Sequence, residues 1–160
     1  MDIITRLNET RDRTLKYFAL GDNDLARTYA PGKWSVRFLM HHLADAETVL
    51  ADRIKRTISE RRQVLWAFDQ DAWATGLDYS QTPLDLSRRI YEATRAGIIH
   101  LAVQHYERSG DLEFIHSETG VRTLRDEFDK VADHNDHHLA QIETALSISN
   151  RDYGLPTTGV

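Results

Sequence analysis

Cysteine is absent from the chain. No disulfide framework can hold the fold, and thiolate is removed from the available nucleophiles and metal ligands. Any thiol chemistry would have to come from a small-molecule co-substrate. No apolar run approaches the ~20 residues that a membrane span requires. The opening MDIITRLNET lacks the basic stretch and apolar block of a secretory signal. The expected location is the cytoplasm, with no membrane partner. Positive charge is not in excess either: the net charge is −5 and the pI near 5.9. That leaves no electrostatic footprint for DNA or RNA, so nucleic acid is not an expected partner. Also missing are a Ser-His-Asp order, a phosphate-cradling glycine loop and an H-E-x-x-H motif.

The composition that remains is that of one soluble globular domain. Of the 160 residues, 41% are hydrophobic and 28% charged, enough for a single core. Residues 1–150 read as that domain and residues 151–160 as a loose tail. Asp2 caps a first helix over roughly Ile3 to Leu20, with Ile4, Leu7, Leu15 and Phe18 inward. Turn residues Gly21 to Asp24 end it, and Pro31-Gly32 prevents a helix from running through. Ser35 caps a second helix, Val36 to about Ser59. Its inward stripe is Leu39, Leu43, Ala46, Leu50 and Ile54, and His42 shares that face. His41 falls with Asp45, Thr48 and Asp52 on a face expected to be solvated.

Between Glu60 and Gln81 the pattern weakens. Leu65 to Phe68 and Trp73 suggest a short apolar turn or one-turn helix over an end of the bundle. This link exceeds the usual ~2–8 residues, which lets the third helix run parallel to the second. Thr82-Pro83 starts the third helix, to about Tyr106, with Leu86, Ile90, Ala93, Gly97 and Leu101 inward. A loop or short hairpin carries Phe114, Ile115 and His116. Thr123 caps a fourth helix to about Ser149, with acidic Asp126 and Glu127 in its first turn. The fold expected is an all-α four-helix bundle.

Eight histidines are present, and five of them fall in two clusters. On the fourth helix His134 and His138 stand one turn apart, on the stripe that carries Val131 and Ile142. Such a pair can grip one ion without distorting the helix. The pair alone is half a site and is also met as two ordinary histidines. Burying three unpaired imidazoles is costly, however, and His42 supplies the third. Three neutral nitrogen donors leave coordination positions open, the pattern of a catalytic rather than a closed structural site. Zn²⁺ or Ni²⁺ suits such a set, and Fe or Mn is admitted. Asn135 and Gln141 adjoin the stripe as candidate hydrogen-bond partners for the ligands. His41 and His137 fall on polar faces, and His100 reads as a core histidine near the inner edge of the third helix.

Two segments together carry a family resemblance. Lys33-Trp34-Ser35-Val36-Arg37 leads into His42-Leu43-Ala44-Asp45-Ala46-Glu47. His134-Asn135-Asp136-His137-His138-Leu139-Ala140-Gln141-Ile142 follows a little over ninety residues later. In this order and spacing they resemble the DinB/YfiT-like family of metalloenzymes, over nearly the whole chain. The resemblance implies up-down-down-up topology, a metal triad on His42, His134 and His138, and a homodimer. It also implies one of two activities on a small-molecule substrate. One is metal-dependent hydrolysis. The other is S-transfer with a low-molecular-weight thiol such as mycothiol, bacillithiol or glutathione, in which water or thiol is activated at the open position. A reading of another class is a non-catalytic bundle: metal held for stability or sensing, or a dimeric interaction or stress-response module.

Overall fold

The structure, a computed structural model, describes residues 1–60 and 63–148. The tail expected beyond residue 150 lies outside them. Four long helices carry the fold: α1 (Ile3–Tyr17), α3 (Val36–Ser59), α5 (Leu84–His105) and α6 (Leu124–Ser147). The short α2 (Asp22–Leu25) and α4 (Gln70–Gly76) sit in the links. So does a small sheet, ordered β1 (Val64–Leu65), β2 (Glu113–His116), β3 (Gly120–Thr123).

Local chemistry sets the helix ends. Asp2 accepts from Thr5 N at 3.1 Å, and Ser35 accepts from Phe38 N at 3.3 Å. Thr123 and Asp126 form a reciprocal capping box. Two boundaries differ from expectation. The first helix stops at Tyr17, because Ala19 and Leu20 bond back only three residues. Thr82 does not cap α5: its hydroxyl donates to the carbonyls of Leu77 and Asp78, both at 3.0 Å, and Pro83 takes the cap position.

Two hydrophobic clusters fix the helix directions. At one end Ile3 and Leu7 meet Leu50, Ile54, Ile98, Leu124 and Phe128. At the other, Phe18 meets Val36, Leu39, Tyr91 and Ile142. The starts of α1 and α6 therefore lie together with the ends of α3 and α5, which is up-down-down-up topology. The parallel run of α3 and α5 is bridged by the long link holding β1 and α4. β1 pairs in parallel with β2, Val64 opposite Ile115, and β2 continues antiparallel into β3 through the expected hairpin.

Between the two clusters lies a buried polar layer that the sequence pattern does not announce. Arg95 forms a two-pronged ion pair with Glu47, at 3.0 and 2.5 Å, and also donates to Leu7 O and Thr10 Oγ1. Asn135 donates to Glu47 at 2.9 Å and accepts from Tyr91 at 2.8 Å and Thr14 at 3.2 Å. Burial opposes the charge of Arg95, and the Glu47 carboxylate more than compensates, holding the guanidinium above its ordinary pKa.

This layer explains why α5 is turned from its expected orientation. Its buried residues are Ser87, Tyr91, Arg95, Ile98 and Ala102, one position beyond the apolar stripe read from the sequence, and two at Arg95. One residue is about 100° of helix rotation. The expected inward face, including Leu86, Ala93 and Gly97, instead points outward, and His100 is exposed with it.

Candidate metal centre

His42 comes from the second turn of α3, and His134 and His138 from the middle of α6, its antiparallel neighbour. Their rings meet edge-on, with centroids 4.5–5.0 Å apart. His134 Nε2 lies 3.1 Å from both His42 Nε2 and His138 Nε2. The three donor atoms fall within 4.8 Å of one another. The structure thus brings together all three residues singled out from the sequence.

The environment keeps these rings neutral. Burial is the first cause, lowering His42 to about 3 and His134 to about 2, and neighbouring imidazoles lower them further. His138 is lowered by burial too, against an opposing hydrogen bond that it donates to Gln141. That bond, His138 Nδ1 to Gln141 Oε1 at 2.7 Å, places the ring proton on Nδ1 and leaves Nε2 as a lone pair. Gln141 is held in turn by His137, 3.1 Å from its amide nitrogen. Trp34 packs edge-on to His42 at 5.3 Å and Phe68 stacks on it at 6.1 Å.

A divalent cation fits this donor set better than bare imidazole does. His134 Nε2 carries at most one proton, and His138 Nε2 has none to offer. A neutral cluster therefore satisfies only one of the two 3.1 Å contacts. Protonation is opposed by burial. A cation accepts all three lone pairs at once. The cluster opens on a cavity of about 450 Å³ lined by Tyr29, Lys33, Trp34, Asp71 and Gln141, among others, so a small molecule can reach it.

Other polar residues depart from their expected places. His41 is buried, its Nδ1 2.7 Å from Ser87 Oγ and its ring 5.2 Å from Tyr79. Tyr79 donates to Asp45 at 2.5 Å, and burial raises the Asp45 pKa. The face expected to be solvated is covered there by α5 and the α4–α5 link. Asn135 is fully buried in the polar layer rather than serving the ligands. His116 is buried in the hairpin, where its Nδ1 accepts from Glu118 N and Thr119 N at 3.3 and 3.4 Å.

The sequence matches the family model of the DinB superfamily over residues 6–142. The chain belongs to the DinB superfamily. Among its DinB relatives is a protein of Oceanobacillus iheyensis named "Putative metal-dependent hydrolase OB0413". It is 33% identical over 129 residues, 81% of this chain and 74% of the relative. A second protein of the same organism, "Putative metal-dependent hydrolase OB0782", is 31% identical over 85% of this chain and 81% of its own length. The solved structure of YfiT from Bacillus subtilis superposes with a TM-score of 0.81 and 23% identity, covering 96% of this chain and 87% of YfiT. That protein is described as a probable metal-dependent hydrolase with an unusual four-helix bundle topology, and the likeness establishes the shared DinB fold.

Proposed function

We propose that His42, His134 and His138 hold one divalent cation, Zn²⁺ or Ni²⁺, and that the protein hydrolyses a small molecule bound in the adjoining cavity. The observation that carries this reading is the convergence of three Nε2 atoms at 3.1 Å steps, with His134 and His138 on the wall of an open cavity and His42 buried behind them. Bound there, such an ion supplies Lewis acidity, lowering the pKa of water and polarising a carbonyl. The chain's own residues do the rest. Burial holds the donor nitrogens unprotonated at neutral pH. Gln141 fixes the His138 tautomer. Trp34 and Phe68 hold the His42 ring in place and shield it from water. Tyr29, Lys33 and Asp71 present polar groups to whatever occupies the cavity.

The hydrolase names of the Oceanobacillus relatives support hydrolysis over thiol transfer. Elemental mass spectrometry on untagged protein is the first test. About one Zn or Ni per chain is expected, lost in His134→Ala. Turnover of an ester and amide panel, with and without an added thiol, then separates the two chemistries. Thiol consumed in step with substrate would replace hydrolysis by S-transfer, and no turnover with either would favour the non-catalytic bundle.

The outward face of α5 supports a homodimer as the working state. Leu86 is 44% and Val103 67% exposed on this helix, while Ile90 and Leu101 are half-buried and pack against the core clusters. Light scattering at micromolar concentration should give twice the chain mass, and Leu86→Lys with Val103→Lys should halve it.

A further inference from the structure

The histidine cavity has a larger neighbour. A cleft of about 660 Å³ lies between the C-terminal half of α3 and the β1–α4 segment, with Trp66, Phe68 and Trp73 on one side and Val49, Arg53 and Arg56 on the other. Phe68 links the two: it lines the cleft, and its ring stacks on His42, whose partners His134 and His138 line the other cavity. Trp73 meets Phe68 edge-on at 5.1 Å, extending the aromatic wall away from the histidines.

The charges around this cleft are already committed. Arg53 pairs with Glu127 at 3.2 Å and donates to Trp66 O at 2.7 Å. Arg56 pairs with Asp52 at 2.8 Å and Glu60 at 3.3 Å. Asp69 accepts from Asp71 N and Ala72 N, both at 3.0 Å, at the start of α4. A charged ligand group would have to break one of these pairs. Among the described residues of the cleft, Arg53 Nε alone is buried without a hydrogen-bond partner, a neutral acceptor's place at most, since the guanidinium is already paired. The rest of what stands uncommitted is flat apolar surface: Trp66 is 76% exposed, although its residue type usually buries much of its area. Aromatic faces of this kind favour offset or edge-on contact with another ring, and the cleft volume is within the ~300–1,000 Å³ of small-molecule sites.

We infer that this cleft binds the neutral aromatic arm of the substrate, with Phe68 as the partition between that arm and the end that reaches the histidines. The inference rests on the reading of His42, His134 and His138 as the reacting site. It makes Trp73 and Phe68 determinants of specificity rather than of chemistry. Trp73 provides the stacking surface, and the Phe68 ring sets how the arm turns toward the histidine cavity.

The test is a titration of the full chain with 2-naphthamide, followed by tryptophan emission and by the indole N–H signals in NMR. Saturable one-site binding is expected, weakened at least tenfold in Trp73→Ala and also in Trp66→Ala, whose exposed side chain can be removed without disturbing the core. The anionic analogue 2-naphthoate, titrated with chelator present, should bind at least tenfold more weakly than the amide. His134→Ala should leave naphthamide binding intact while removing metal, so a failure of the histidine reading shows as absent metal with binding retained. No saturable binding of 2-naphthamide would overturn the inference. So would wild-type affinity retained in either tryptophan variant, or naphthoate binding as tightly as the amide.

Discussion

A histidine donates its lone pair to a cation only while its proton is kept on the other nitrogen, and in this site Gln141 does that for His138. Replacing Gln141 by Leu should lower metal affinity roughly 10–100-fold while leaving the fold intact. Competition with a chromophoric chelator measures this, and unchanged affinity would remove Gln141 from the site. The three converging histidines were legible in the sequence because helical spacing alone puts His134 and His138 on one stripe, and His42 lies on the inward stripe of its own helix. His41 was not legible. Its partners, Ser87 and Tyr79, come from distant segments, and no local pattern shows which polar face a later helix will cover. Glu47 and Asn135 were missed for the same reason: a polar residue on an inner face is neutral or costly according to partners elsewhere in the chain.

The element that sequence periodicity misplaced is α5. Leu86, Ala93 and Gly97 of its expected stripe lie outward, Ile90 and Leu101 reach the core only from the side, and the face it buries carries Arg95, Tyr91 and Ser87 beside Ile98 and Ala102. Hydrophobic spacing decides helix orientation only when burying apolar side chains outweighs every polar demand on the helix. Here the Arg95–Glu47 pair, buried on both sides, overrides it. Breaking that pair strands a charge in the core. Glu47→Ala should therefore cost about 3–5 kcal/mol, read as a lowered midpoint in urea. The double variant Glu47→Leu with Arg95→Met should recover much of that loss, and a double variant as unstable as the single one would contradict this account. The caps, by contrast, were read correctly at Asp2, Ser35 and Thr123, because a cap is settled within three residues. At Thr82 the preceding turn claimed the hydroxyl.

For the whole molecule, the four-helix count and the parallel run of α3 and α5 followed from helix-length periodicity and one long link. The sheet did not: strands of two to four residues carry too little pattern, and β1 pairs with a partner about fifty residues away. The buried histidines also set how the whole fold responds to acid. His41, His42 and His134 are held at about 4, 3 and 2 in the folded state, against about 6.5 when unfolded. Below that value the unfolded chain takes up protons the folded chain refuses, so their stabilising contribution is complete above pH ~6.5 and is lost as pH falls toward 4. With chelator present, the urea midpoint should be lower at pH 5 than at pH 7.5, and equal midpoints would contradict these shifts. The polar layer across the bundle has one more consequence, an axial one. Glu47, Arg95, Asn135 and the two threonines of α1 must meet at one height, and a slip of one helix by a turn, about 5.4 Å, would leave a buried charge without its partner. Asn135 is the residue next to His134, and Glu47 stands little more than a turn beyond His42. The layer therefore works as an alignment pin, fixing how far α3 and α6 can slide past each other and so the height at which their histidines face.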